Sequence, residues 1–307
     1  MSSLLKRISS FIYTPKEEVS VEEVSVEEDQ IPPQDVTVPD CNNCVSECDE
    51  HQTYPSYLQL DTDSPLLGSM SPYGRHFMIS TAQCDWAERI EEDEGTLAAE
   101  LHALIKADPM PWRTFITNTS HIPNHSTTVH CSMDIIILPD NIVVGNVTAD
   151  DAQTIYEIFV KRPLPEEPVN IQKEFESVDL KEMGVYPNPY DSMILICSHR
   201  KRDKRCGITA PILNREFDHV LRELDIHDGE GGTAVLMVSH IGGHKFAGNI
   251  ICYINKGQTG IWYGRVKTCH CHSIVEETII KGKVIKDLYR GCMTHSFNYN
   301  KCNKLKW

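Results

Sequence analysis

Cys197, Cys206, His240 and His244 have the side-chain chemistry of a metal centre. They lie in the strings CSHRKRDKRCG and HIGGHKFAGN, spaced C-x8-C and H-x3-H with 33 residues between the pairs. Two thiolates and two imidazoles complete the ligand set of a [2Fe–2S] cluster or of a tetrahedral zinc ion. Structural zinc sites pair their cysteines at C-x2–4-C, so eight intervening residues favour the cluster. Without metal, the four are two ordinary cysteines and two loop histidines, or Cys197 and Cys206 serve a thiol-dependent reductase. C-x8-C is not the C-x-x-C of a thioredoxin-type dithiol. Nor does Cys197 open a phosphatase loop, because Asp203 stands where that loop needs arginine.

Periodicity gives the elements that must carry these residues. SMILIC (192–197) reads as a strand ending at Cys197. Ile212, Leu213, Phe217, Val220, Leu221 and Leu224 keep helical spacing over 209–225, with Pro211 early, where a helix tolerates it. Cys206 then falls in the loop before this helix. AVLMVS (234–239) is a second strand, with His240 at its end and His244 in the glycine-rich loop beyond. Gly242 and Gly243 let that loop fold tightly between the histidines. GNIICYI (248–254) and IWYGRV (261–266) form a hairpin around NKGQTG, and a last helix is expected over 272–288. β-α-β followed by β-β-α is the order of the thioredoxin fold, in which the first two strands are neighbours. Both ligand loops then emerge at one end of the sheet.

The same order runs earlier in the chain. RHFMISTA (75–82) and WRTFITN (112–118) flank a helix over 96–107. DIIILPDNIVVGNV (134–147) is a hairpin turning at Pro139-Asp140-Asn141, and Thr148 or Asp150 caps a helix to about Val160. The expected fold is therefore α/β (α+β), with two tandem thioredoxin-like domains over 40–168 and 169–293. An acidic arm occupies 1–39, where EEVSVEEVSVEED repeats a five-residue motif, and a tail occupies 294–307. RPLPEEP (162–168) reads as the linker. Cys84, before Asp85 and Trp86, stands where a thioredoxin keeps its redox cysteine, but has no second cysteine and reads as vestigial.

Composition bounds the rest. At 307 residues the chain holds two domains of ordinary size. The net charge of −15 is uneven: residues 186–307 carry 18 Lys/Arg against 11 Asp/Glu, and residues 1–185 carry 11 against 33. The basic end either steers an acidic partner or attracts the acidic half of its own chain. No motif supports nucleic-acid binding. No apolar run reaches 18 residues, so no membrane span is expected. Residues 1–14 lack the apolar core of a secretory signal. Twelve cysteines in an intracellular chain point to metal or reduced thiols. Met1–Lys16 faintly resembles a mitochondrial presequence, but acid follows at once from Glu17. The expected location is cytoplasmic, with mitochondrial the alternative.

CSHRKRDKRCG, HIGGHKFAGN and IWYGRV together resemble the sucrase/ferredoxin-like family of fungi and plants, above all its fungal members named for actin-patch distribution. The stretch DCNNCVSECDEHQTYPSYLQLDTDSPLLGSMSPYGRHFMISTAQCDWAERIEEDEG resembles that family's first domain, and the resemblance spans roughly residues 40–293. It implies a thioredoxin-like ferredoxin with a [2Fe–2S] cluster on Cys197, Cys206, His240 and His244, both cysteines on one iron and both histidines on the other. It also implies single-electron exchange with protein partners in cellular redox homeostasis, rather than an enzyme with a substrate pocket. The partners would be a protein donor, such as a flavoprotein reductase, and a protein acceptor. Neutral imidazoles raise the reduction potential above that of an all-cysteine cluster, and a ligating imidazole that exchanges its proton would make the potential fall as pH rises. The basic run Arg200, Lys201, Arg202, Lys204, Arg205 either raises the potential further or docks an acidic reductase, or is simply a solvated loop. Lys245 and Asn249 are candidates to support the ligands. The terminal Leu305-Lys306-Trp307 resembles the tail by which cytosolic iron–sulfur clients recruit the assembly machinery, although Lys306 departs from the acidic or serine residue usual there.

The alternative is a zinc-stabilised interaction module without a redox role. Cys41, Cys44 and Cys48, with His51 nearby, have zinc-like spacing without a clear fourth ligand, and are either a second metal site or free surface thiols. Cys269-His270-Cys271-His272 is ligand-rich, but it precedes the last helix and reads as its cap.

Overall fold

In the computed structural model, strand β1 (Arg75–Ser80) sends its apolar side chains two ways: Phe77 and Ile79 into one core, Met78 into another. A strand buried on both faces needs cover on both, and the rest of the fold supplies it. The structure describes residues 51–126 and 131–293, with the backbone of the short strands Val36–Thr37, Phe297–Asn298 and Lys304–Leu305. The acidic arm, Cys41, Cys44, Cys48 and Trp307 lie outside the described residues.

The fold is mixed α/β around one ten-stranded sheet. Its further strands are β2 (Thr114–Thr119), β3 (Met133–Leu138), β4 (Ile142–Val147), β5 (Gly184–Pro187), β6 (Ser192–Cys197), β7 (Thr233–Val238), β8 (Ile250–Ile254), β9 (Thr259–Tyr263) and β10 (Tyr289–Cys292). Their order across the sheet is β10-β9-β8-β6-β7-β2-β1-β3-β4-β5. Each half pairs alike: β1 is parallel to β2 and antiparallel to β3, as β6 is to β7 and β8. The halves join at β2 and β7, antiparallel, with Thr119 opposite Val238. Two serines close this seam reciprocally. Ser120 Oγ accepts from the Met237 N–H, and Ser239 Oγ accepts from the Asn118 N–H, each at 3.0 Å.

Helices α1 (Leu97–Ala107) and α2 (Ala152–Ile155, continuing in wider π turns to Val160) cover one face of the first half. Helices α4 (Lys204–Glu223) and α5 (Thr268–Ser273, continuing to Ile280) cover one face of the second. The helix-free faces meet in a shared core, where Met78, Ile136 and Leu138 join Met193, Leu195 and Trp262. A buried polar chain crosses it. The Tyr253 hydroxyl lies 2.7 Å from His76 Nδ1 and 2.6 Å from the Tyr73 hydroxyl, and His76 Nε2 lies 2.8 Å from Thr117 Oγ1.

The segments between the halves are exchanged. Helix α3 (Ile171–Phe175) and β5 follow the expected linker yet pack on the first half, β5 pairing with β4. Residues 51–70 precede the first half yet run along the second. There the Tyr54 hydroxyl donates to Val266 O at 2.6 Å, and Arg265 Nε to Asp61 O at 2.6 Å.

Most expected elements fall within a few residues of the observed ones. Two differ. Helix α4 begins at Lys204, because Asp203 caps it by accepting from the Arg205 N–H at 2.9 Å. Cys206 therefore sits in its first turn and not in a loop. The last helix starts at Thr268 and ends at Ile280, leaving Val284–Ile285 extended.

Candidate metal centre

Cys197 is the last residue of β6, and the end of β7 beside it delivers His240 two residues on. Parallel neighbours end together, so both loops open at one sheet end. Cys197 and Cys206 are buried, at 1% and 0% exposure, and hydrogen-bond to each other. That bond pulls the Cys197 thiol well below its ordinary pKa despite burial, and His240 beside it acts the same way. Cys206 moves up, first because it is the partner that keeps its proton. The two sulfurs are thus a coupled, buried pair with His240 beside Cys197.

His240 has its Nδ1 buried with no hydrogen-bond partner among the described residues. Its ring lies 5.5 Å from that of His244, whose side chain is 47% exposed. His244 Nε2 comes within 3.9 Å of Asp203. The four predicted residues thus converge on one place, with a buried thiol pair inside and a histidine at the rim. Among the described residues, no group of three or more His, Cys, Asp or Glu side chains is gathered tightly enough to hold a single metal ion.

Other predicted residues divide. Asn249 is buried, and its Nδ2–H donates to Gly243 O at 2.8 Å, while its backbone carbonyl accepts from the Cys197 N–H at 3.0 Å. Lys245 turns away to Asp61 and Ser64. His51 Nδ1 lies 2.8 Å from Glu216 Oε1, the acceptor, far along α4. Cys269–His272 lies inside α5, with Cys271 in the core and His270 Nδ1 accepting from the Lys267 N–H at 3.1 Å. Cys84 is exposed, and its carbonyl accepts from Ser198 Oγ at 2.7 Å.

Three features were missed by reading the sequence. His199 is 1% exposed and bridges the halves. Its Nδ1 accepts from the His240 N–H at 3.1 Å, so Nε2 carries the proton and donates to Ala87 O at 2.8 Å. Its place in the string CSH, directly after a ligand strand, was the available signal. Arg290 lies buried behind the histidine loop, its pKa pushed down to about 10 by burial, while the charges of Cys197 and Cys206 act to raise it. Nothing local in YRGC announced it. Ser80 ends β1 as Cys197 ends β6, and His121 follows β2 by two residues as His240 follows β7. Aligning the two β-α-β runs would have found this pair.

These observations meet a family match. The sucrase/ferredoxin-like family model matches residues 66–291, and the chain belongs to that family. Among its curated relatives is "Altered inheritance of mitochondria protein 32" of Meyerozyma guilliermondii, 30% identical over 257 residues, covering 78% of this chain and 87% of the relative. The protein of the same name from Clavispora lusitaniae is 31% identical over 252 residues, covering 78% and 88%. "Actin patches distal protein 1" of Saccharomyces cerevisiae is 29% identical over 258 residues, covering 78% and 79%. No solved structure matches the chain. No helix among the described residues is long and apolar enough to cross a membrane.

Proposed function

We propose that this chain is an electron-transfer protein whose second half holds a [2Fe–2S] cluster on Cys197, Cys206, His240 and His244. The observation that carries the reading is the buried Nδ1 of His240, without a partner among the described residues, beside a buried cysteine pair. An unpaired buried nitrogen costs about 1–3 kcal/mol, and a metal bond removes that cost. The donor set fits: two thiols and two imidazoles from two adjacent loops, in pairs, match a binuclear centre better than one ion. When bound, the cluster supplies reversible one-electron chemistry.

The chain's own residues do the rest. Cys197 and Cys206 offer an inner, water-excluded pair of thiolates. His240 is held from behind by His199. The half-exposed His244 is the edge from which an electron reaches a partner. Each half is read as one thioredoxin-like unit, the first a degenerate copy that buttresses the second. A protein donor such as a flavoprotein reductase, and a protein acceptor, complete the function.

The test is anaerobic purification followed by metal analysis, a visible spectrum and EPR after dithionite. About two irons per chain and a Rieske-like signal, both lost in His240→Ala and in Cys206→Ala, are expected. Colourless protein with one zinc per chain would overturn the reading in favour of a zinc-stabilised interaction module.

A further inference from the structure

Two arginines among the described residues are wholly buried, and only one of them meets a carboxylate. Arg75 places Nε 2.7 Å and Nη2 3.1 Å from Asp140. Arg290, in β10, spends its donors on neutral acceptors: Ser69 Oγ at 3.0 Å, Ser69 O at 2.7 Å, Gly242 O at 3.3 Å and Asn249 Oδ1 at 2.9 Å. It forms no ion pair with any described residue. A guanidinium cannot shed its charge by losing a proton at physiological pH, and an uncompensated buried charge is costly.

The fold nevertheless presses it against the candidate centre. Gly242 and Gly243 lie between His240 and His244, and a Cβ on Gly243 would meet Arg290 Nη2 at 2.3 Å. Asn249, which receives Nη1, also takes the Cys197 N–H on its carbonyl. The charge of either thiolate, Cys197 or Cys206, acts on the guanidinium. The neutral hydrogen bonds fix its place while leaving its charge unneutralised.

We propose that Arg290 is the built-in countercharge of the redox centre, raising its midpoint potential by stabilising the negative charge that arrives with the electron. The inference rests on the proposed cluster. A bound cluster would take one electron from a reductant, one ferric iron becoming ferrous, and the added negative charge would be offset by a buried cation that has no carboxylate partner among the described residues. A low-dielectric setting strengthens this interaction over its value in water. Arg290 touches neither ligand side chain by hydrogen bond, so it is a positioning and tuning residue.

The test is a dithionite redox titration followed by EPR, on the full chain, for Arg290→Lys, Arg290→Gln and Asn249→Asp. Iron content and circular dichroism report whether each variant folds and loads. Arg290→Gln keeps donors and loses charge; its midpoint should fall, while Arg290→Lys stays near wild type. Asn249→Asp supplies the missing carboxylate and should lower the midpoint in the same direction, with Arg290 untouched. That variant decides the matter if Arg290→Gln fails to fold. Unchanged midpoints in loaded Arg290→Gln or Asn249→Asp would overturn the inference. So would a midpoint restored by Gln and shifted by Lys, which would mark a purely geometric role. Wild-type protein that folds but carries no iron would instead overturn the cluster reading itself.

Discussion

Ser80 Oγ and His121 Nδ1 lie 2.9 Å apart, at the places in the first half that Cys197 and His240 take in the second. A hard hydroxyl in place of a thiol removes the affinity for iron, and a hydrogen bond satisfies the histidine nitrogen instead. The first half thus places a serine and a histidine where the second half places the cysteine and histidine of the proposed site. Ser80→Ala should cost about 1–3 kcal/mol of stability, since it strands the His121 nitrogen in a buried place. Urea unfolding checks the cost. Iron per chain should not change, in contrast to His240→Ala; iron loss in Ser80→Ala would mean that the first half takes part in binding.

His199 ties the backbone of His240 to the Trp86–Ala87 loop of the first half. Replacing it with leucine leaves a buried N–H and a buried carbonyl unpaired, a cost of about 2–4 kcal/mol. More tellingly, the ring of His240 should lose its fixed orientation, broadening or shifting the EPR signal of the loaded protein. An identical line shape and unfolding midpoint in His199→Leu would remove this residue from the account.

His76 gives the fold an acid limit. Burial holds its pKa well below the ordinary value, so the folded protein keeps it neutral while the unfolded chain protonates near pH 6.5. The unfolded state therefore binds the extra proton in the window below about 6.5. Stability is fully present above that pH and falls with acidification, by about 1.4 kcal/mol per pH unit for this one group. Urea melts between pH 5 and 7.5 should show the slope, and His76→Gln should reduce it by about one proton. An unchanged slope in His76→Gln would show that other buried histidines, such as His121, carry the effect.

The strands were legible because β-branched and aliphatic runs such as SMILIC and DIIIL admit few other readings. Cys197 stood out at the end of such a run and His240 two residues beyond another, while Cys206 and His244 were marked by residue type and spacing alone. The joining of the halves was not. The Thr119–Val238 pairing, with the backbone and hydroxyl bonds of Ser120 and Ser239 on either side, makes that seam, and none of these residues has a sequence signature. The turn Pro139-Asp140-Asn141 was visible as a turn, but Asp140 as the partner of buried Arg75 was not, because 65 residues separate them. Periodicity reports which residues are inside; it does not report which of them meet. For the same reason the early start of α4, set by a single Asp203 cap, moved Cys206 from a loop into a helix.

Residues 51–70 brace the second half while α3 and β5 brace the first. Each half thus wears a garment woven from the other's stretch of chain. A protease or a cloning boundary placed at the apparent linker, 162–168, would not release two working modules. It would leave the second half without the strap along Val266 and the Arg265 loop, and without the tyrosine–histidine bridge through Tyr253. A substitution in either half is therefore felt by the other, because each half is finished by chain that belongs in sequence to its neighbour.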